Sequence, residues 1–95
     1  MVLPRRVPKA AWKLLQKMRD SRAGWGEADF GTLYEGFGFH SREGRDRVYY
    51  HPDHPDIPPA MVGRHRSLSK SYTDTALKRV DEVIKREDLG MENGR

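Results

Sequence analysis

Apolar residues recur at helical spacing in three windows of this chain and at strand spacing in a fourth. From Lys9 to about Asp20, Ala11, Trp12, Leu14, Leu15 and Met18 repeat every three to four positions, which predicts an amphipathic helix ending in the turn Asp-Ser-Arg-Ala-Gly. Trp25 is expected to anchor the loop that follows. Gly26 opens a second helix with Glu27 and Asp29 in its first turn, where carboxylates suit the helix dipole; Phe30, Leu33, Tyr34 and Phe37 form its buried stripe, and Gly36 and Gly38 stop it. A last helix is predicted from a cap at Ser71, with Asp74 three residues on, and with Ala76, Leu77, Val80, Val83 and Ile84 facing inward.

Between the second and last helices the period changes from 3.6 to 2. The stretch from Gly38 to Pro52 predicts a β-hairpin turning at Glu43 and Gly44, with Arg47, Tyr49 and His51 on one face of its second strand and Val48 and Tyr50 on the other. Val48 and Tyr50 are assigned to the core, which turns Arg47, Tyr49 and His51 outward, with neighbours about 7 Å apart, roughly the span of a phosphate and its ribose. Ala60 to Arg64 make a short third strand. The predicted class is α+β in the order α-α-β-β-β-α: a three-stranded antiparallel sheet with helices on one face and the other face free for a ligand.

His51 to Pro59 holds four of the six prolines, which predicts an extended surface connection. Residues 1 to 9 read as a flexible basic arm, 10 to 88 as one domain and 89 to 95 as a frayed tail. Ninety-five residues suffice for a single core. Without cysteine the fold needs no disulfide and no thiolate metal site, and the expected setting is the reducing cytoplasm. No apolar run approaches a membrane span, and the opening residues lack the apolar core of a signal peptide, so no membrane partner is expected.

Charge sharpens the picture by its placement. The net charge is +4. Arg42, Arg45 and Arg47 on the hairpin, with Arg64, His65, Arg66 and Lys70 after the third strand, are expected to surround one sheet face, and with Tyr49 they form a candidate nucleic-acid surface. Phosphate contacts would dominate its affinity. The last helix interleaves Lys78, Arg79, Lys85 and Arg86 with Asp81, Glu82 and Glu87, the pattern of a solvated face. His51, Asp53, His54 and Asp56 mimic a metal site, but the intervening prolines are expected to splay their side chains, so a turn-rich loop and no metal is the reading. Trp12, Trp25, Phe30 and Phe37 are assigned to the core.

Gly38-Phe39, Gly44, Val48-Tyr49-Tyr50-His51-Pro52, Arg64-His65 and Leu68-Ser69-Lys70, followed by a helix, resemble in order and spacing the HicA family of toxins, also labelled YcfA-like. The likeness covers roughly residues 10 to 87; Lys13-Leu14-Leu15, Trp25, Leu33 and Gly36 to Phe39 resemble the variants with an extra leading helix. The resemblance implies a double-stranded-RNA-binding-domain-like fold, an endoribonuclease (mRNA interferase) of a type II toxin-antitoxin system, RNA as substrate, a HicB-like antitoxin partner and no small-molecule cofactor. The family places a catalytic histidine just after the hairpin glycine, and here Gly44 is followed by Arg45, Asp46 and Arg47, so that Arg47 stands at the histidine's place. A guanidinium cannot accept a proton from a ribose 2′-hydroxyl. His51 is then the nearest candidate base, with Arg47 stabilising the phosphorane charge. Two alternatives stand beside this: His51 shapes the strand end without catalysing, or the chain is a non-catalytic RNA-binding or protein-interaction module on the same fold.

Overall fold

The computed structural model describes residues 6 to 89, so the expected tail and most of the expected basic arm lie outside the described residues. The elements follow the predicted order: α1 (Lys9–Asp20), α2 (Glu27–Gly36), β1 (His40–Arg42), β2 (Arg47–Tyr50), β3 (Ala60–Val62) and α3 (Lys70–Glu87). The sheet is antiparallel in the order β1-β2-β3. Among the described residues no helix is long and apolar enough to cross a membrane.

Local chemistry sets the helix ends. At the start of α2 the Asp29 carboxylate accepts the Gly26 N–H at 3.0 Å, satisfying a donor that the first turn leaves unpaired. At its end Gly38 takes a left-handed conformation with φ of 94°, and Phe39 and Gly38 donate their N–H groups to Tyr34 and Glu35 carbonyls. This is a Schellman closure, and its usual apolar contact is made by the Phe39 and Tyr34 rings, 5.0 Å apart. The turn aims Phe39 into the core and thereby sets the phase of the sheet. α3 begins two residues earlier than expected: Ser69, not Ser71, occupies the N-cap, and the hydroxyls of the two serines bond each other at 2.9 Å.

The core joins the helices to the sheet through an aromatic chain. Tyr34 stacks on Tyr49 at 4.7 Å, Trp12 meets Phe37 edge-on, and Phe39 meets His51 edge-on. Leu15, Met18, Phe30, Leu33, Val62, Val80 and Val83 fill the space around these rings, and Ala76 and Leu77 also lie in the core, as expected, while Ile84 is only partly buried. Trp25 is partly buried and ties its loop down by donating its indole N–H to the Ser21 carbonyl. Burial holds the Tyr34 phenol above its ordinary pKa, so it stays neutral.

One expectation reverses. Arg47, Tyr49 and His51 face the helices, and Val48 and Tyr50 face away from them: Tyr49 and His51 are buried, and Arg47 is partly covered. The pairings His40 with Tyr50, Arg42 with Val48 and Val48 with Met61 place these residues together on the helix-free face, where Met61 is 59% exposed. A one-residue change of phase moves every side chain to the other face, and Phe39 and Tyr34 make the Tyr49 phase the better packed one.

The proline-rich connection also departs from an extended path. His54 and Ile57 donate to the His51 and His54 carbonyls, giving two successive turns. Arg86 of α3 holds this connection through a bidentate pair with Asp56, at 2.8 and 2.7 Å. That guanidinium, helped by a backbone N–H, brings the Asp56 carboxyl from 3.8 down to about 2. Because the folded pKa is the lower one, the pair's contribution is complete above about pH 4 and disappears as pH falls through about 2. Melting temperatures of the wild type and Asp56→Asn, followed by circular dichroism, are expected to differ modestly at pH 6 and to converge as pH falls below about 2; a difference that stays undiminished between pH 4 and that point would assign the effect to something other than this carboxylate.

Candidate nucleic-acid interface

The basic residues gather at one end of the molecule because the hairpin tip and the loop from β3 to α3 are clasped together. Arg64 makes the clasp. Its Nε donates to the Arg45 carbonyl at 3.1 Å, and its Nη2 to the Gly44 carbonyl at 3.0 Å and the Glu43 carboxylate at 2.7 Å. Arg47 reaches the other Glu43 oxygen at 2.8 Å. Glu43 thus lies between two guanidiniums, and the Arg64 hydrogen bond, then the Arg47 charge, hold its carboxyl below the ordinary range. The same loop is fastened to the start of α2: Glu27 donates its N–H to the His65 carbonyl, and Leu68 donates to the Trp25 carbonyl.

Arg42, Arg45, Arg66, His65 and Lys70 remain exposed around this clasp. Arg42 lies 5.3 Å from the centre of the Tyr50 ring on the helix-free face, and His40 flanks the same ring edge-on. Lys70 has a loose contact with Asp74, at 3.9 Å, whose other oxygen takes Arg22 at 2.8 Å. Of the expected surface, Arg42, Arg45, Arg64, His65, Arg66 and Lys70 are at or beside this end, with Arg64 spent largely on holding it together.

Tyr49 and Arg47 point elsewhere, into a cleft of about 360 Å³ between α2 and β2 lined by Glu27, Gly31, Thr32, Glu35, Arg47 and Tyr49. Burial raises the Tyr49 phenol against the pull of Arg47, and the phenol stays protonated. The Arg47 guanidinium stands beside the Tyr49 oxygen, which with Glu43 keeps it firmly protonated, yet the hydroxyl lacks hydrogen-bond geometry to any partner. Glu27 and Glu35 make this cleft unwelcoming to a phosphate.

His51 is 1% exposed. Its Nδ1 accepts the Asp53 N–H at 3.2 Å, so Nε2 carries the proton and donates to the Phe37 carbonyl at 3.1 Å. The expected solvent-facing base is therefore an interior neutral imidazole that satisfies two backbone groups. Its ring centre lies 4.7 Å from that of His54, contrary to the splaying expected of the prolines, because the turn from His51 to His54 folds the chain back. Sequence reasoning missed two further groupings. His40, Arg42, Tyr50 and Met61 share the open face, a set that the alternation His-Ser-Arg would have flagged with the other phase; and Glu87 of α3 meets His54 at 2.7 Å, for which no local signal exists.

Comparison with protein-family models, curated proteins and solved structures finds no match to this chain.

Proposed function

We propose that this chain is a HicA-like RNA-binding domain of a toxin-antitoxin pair, gripping RNA phosphates with its hairpin end. The observation that carries the reading is the exposure of Arg42, Arg45, Arg66 and Lys70 around one clasp, in which the Glu43 carboxylate is taken up by Arg64 and Arg47. Recognition is by backbone shape and charge, since the exposed guanidinium and ammonium groups suit phosphates and domains of this type read shape and 2′-hydroxyls more than base edges. A HicB-like acidic partner would cover the same end and compete with RNA. Binding is favoured over cleavage by His51 with its Arg47 neighbour: the imidazole is buried and bonded to the Phe37 carbonyl and the Asp53 N–H, so it does not face a substrate on the sheet.

The test is fluorescence anisotropy with a labelled RNA hairpin across a salt series. Wild-type protein is expected to bind with a linear fall of log K against log salt, and Arg45→Ala with Arg66→Ala is expected to lower that slope by roughly 1.8, about 0.9 for each lost duplex phosphate contact. An unchanged slope would remove the hairpin end from the interface. Displacement of the labelled RNA by an added acidic peptide would support the competing-partner arm.

A further inference from the structure

We infer that His51, His54 and Glu87 form a binding site for a divalent zinc-class cation, at the end of the molecule where the proline-rich connection meets the last turn of α3. One ligand atom from each of the three side chains lies within 4.8 Å of the others. Two imidazoles and a carboxylate are the donor set that zinc accepts in sites with an open fourth position, which water fills.

Three features of the surroundings suit a cation. First, Nε2–H of His51 is held by the Phe37 carbonyl at 3.1 Å, which fixes the ring and leaves the lone pair on Nδ1. A backbone carbonyl on the far nitrogen is the usual outer support of a metal-bound histidine. The metal would take the place of the long 3.2 Å bond from the Asp53 N–H. Second, the donors come from separate parts of the fold: His51 and His54 are brought side by side by one turn, and Glu87 reaches them from α3. Third, the His54 and Glu87 side chains are only 18% exposed each, enough for entry and little enough to limit competition from bulk water.

The change required is small. Bonds of about 2.0 to 2.2 Å to a tetrahedral ion place donors roughly 3.4 Å apart. His54 Nε2 and Glu87 Oε2, now at 2.7 Å, would open slightly while the most distant pair closes by about 1.4 Å, movements that rotation of the two less buried side chains supplies. The ion would strengthen the junction between the proline-rich connection and α3, which the Asp56–Arg86 pair already ties nearby.

The experiment is calorimetric titration of Zn²⁺ into the untagged full chain in a weakly coordinating buffer. One ion per chain is expected, with affinity falling in His54→Ala and in Glu87→Gln by at least the about ten- to hundredfold typical of losing even an outer support. His65→Ala, at the opposite functional end, is expected to bind as wild type. Because Glu87→Gln keeps the side chain's size and a hydrogen bond to His54, its metal-free melting temperature should stay near wild type while its zinc-induced rise is lost. No binding by the wild type, equal weakening by His65→Ala, or full zinc affinity in both His54→Ala and Glu87→Gln would each overturn the site. None of these outcomes depends on whether RNA binds.

Discussion

His51→Ala is expected to lower the free energy of unfolding by about 3 kcal/mol, because it strands the buried Phe37 carbonyl and empties a packed position. The Phe37 carbonyl loses its bond in the interior, whereas the exposed Asp53 loses only its bond to the ring. Leaving that carbonyl unsatisfied costs about 1 to 3 kcal/mol, since water cannot replace the bond there. The edge-on contact with Phe39 goes as well. Urea unfolding at pH 7 measures the loss, and an effect within about 0.5 kcal/mol, typical of surface positions, would show that the ring is not built into the interior. The same variant separates structure from chemistry. At a temperature where it remains folded, its RNA affinity and salt slope are expected to match the wild type, since the imidazole lies away from the clasped cationic end. If the wild type cut mRNA and His51→Ala did so no longer while folded and binding normally, the role of His51 would revert to catalysis.

Gly26→Ala is expected to cost about 2 to 3 kcal/mol by crowding alone. The Gly26 backbone, with φ of −110°, is open to any residue. A Cβ there would lie 2.2 Å from the Arg66 carbonyl oxygen and 2.8 Å from its carbon, and because both are backbone atoms no side-chain rotation relieves the clash. Either α2 or the loop after β3 must move, which strains the bonds from Glu27 to His65 and from Leu68 to Trp25. Since that loop carries Arg64 and Arg66, RNA binding should weaken together with stability. Gly24→Ala is the matched control: its Cβ meets open space, and only its φ of 90° is unfavourable, for about 1 to 2 kcal/mol without displacement of the cationic loop. Equal losses of RNA affinity in the two variants would break the link between the Gly26 contact and the interface.

Both predictions concern contacts between segments far apart in the chain, and this is where reading the sequence stops being sufficient. The helices were legible because their apolar residues recur at 3.6-residue spacing and their ends carry local signals: Asp29 returning to Gly26, and Gly38 supplying a left-handed closure. The hairpin and its turn were legible from alternation, and the order α-α-β-β-β-α followed. The face of β2 was not. Arg-Val-Tyr-Tyr-His places an aromatic residue on either side, so period 2 is equally strong in both phases. Stacking of Tyr49 on Tyr34 and the entry angle of Phe39 broke that tie, burying His51 and turning Tyr50 and Arg42 outward.

The basic segments were visible as segments, whereas their joining into one end depended on Arg64 reaching the hairpin carbonyls, a contact spanning about twenty positions. The pairing of His51 with His54 lay within reach of local reasoning had the turn between them been given more weight than the prolines; Glu87, 33 residues beyond His54, had no such signal. Sequence alone determined which elements form and in what order, because hydrogen bonding and hydrophobic periodicity along a short segment are local. Only the tertiary structure decided which side of the sheet is buried and which distant charges meet, because those follow from packing energies shared between elements that no single segment encodes.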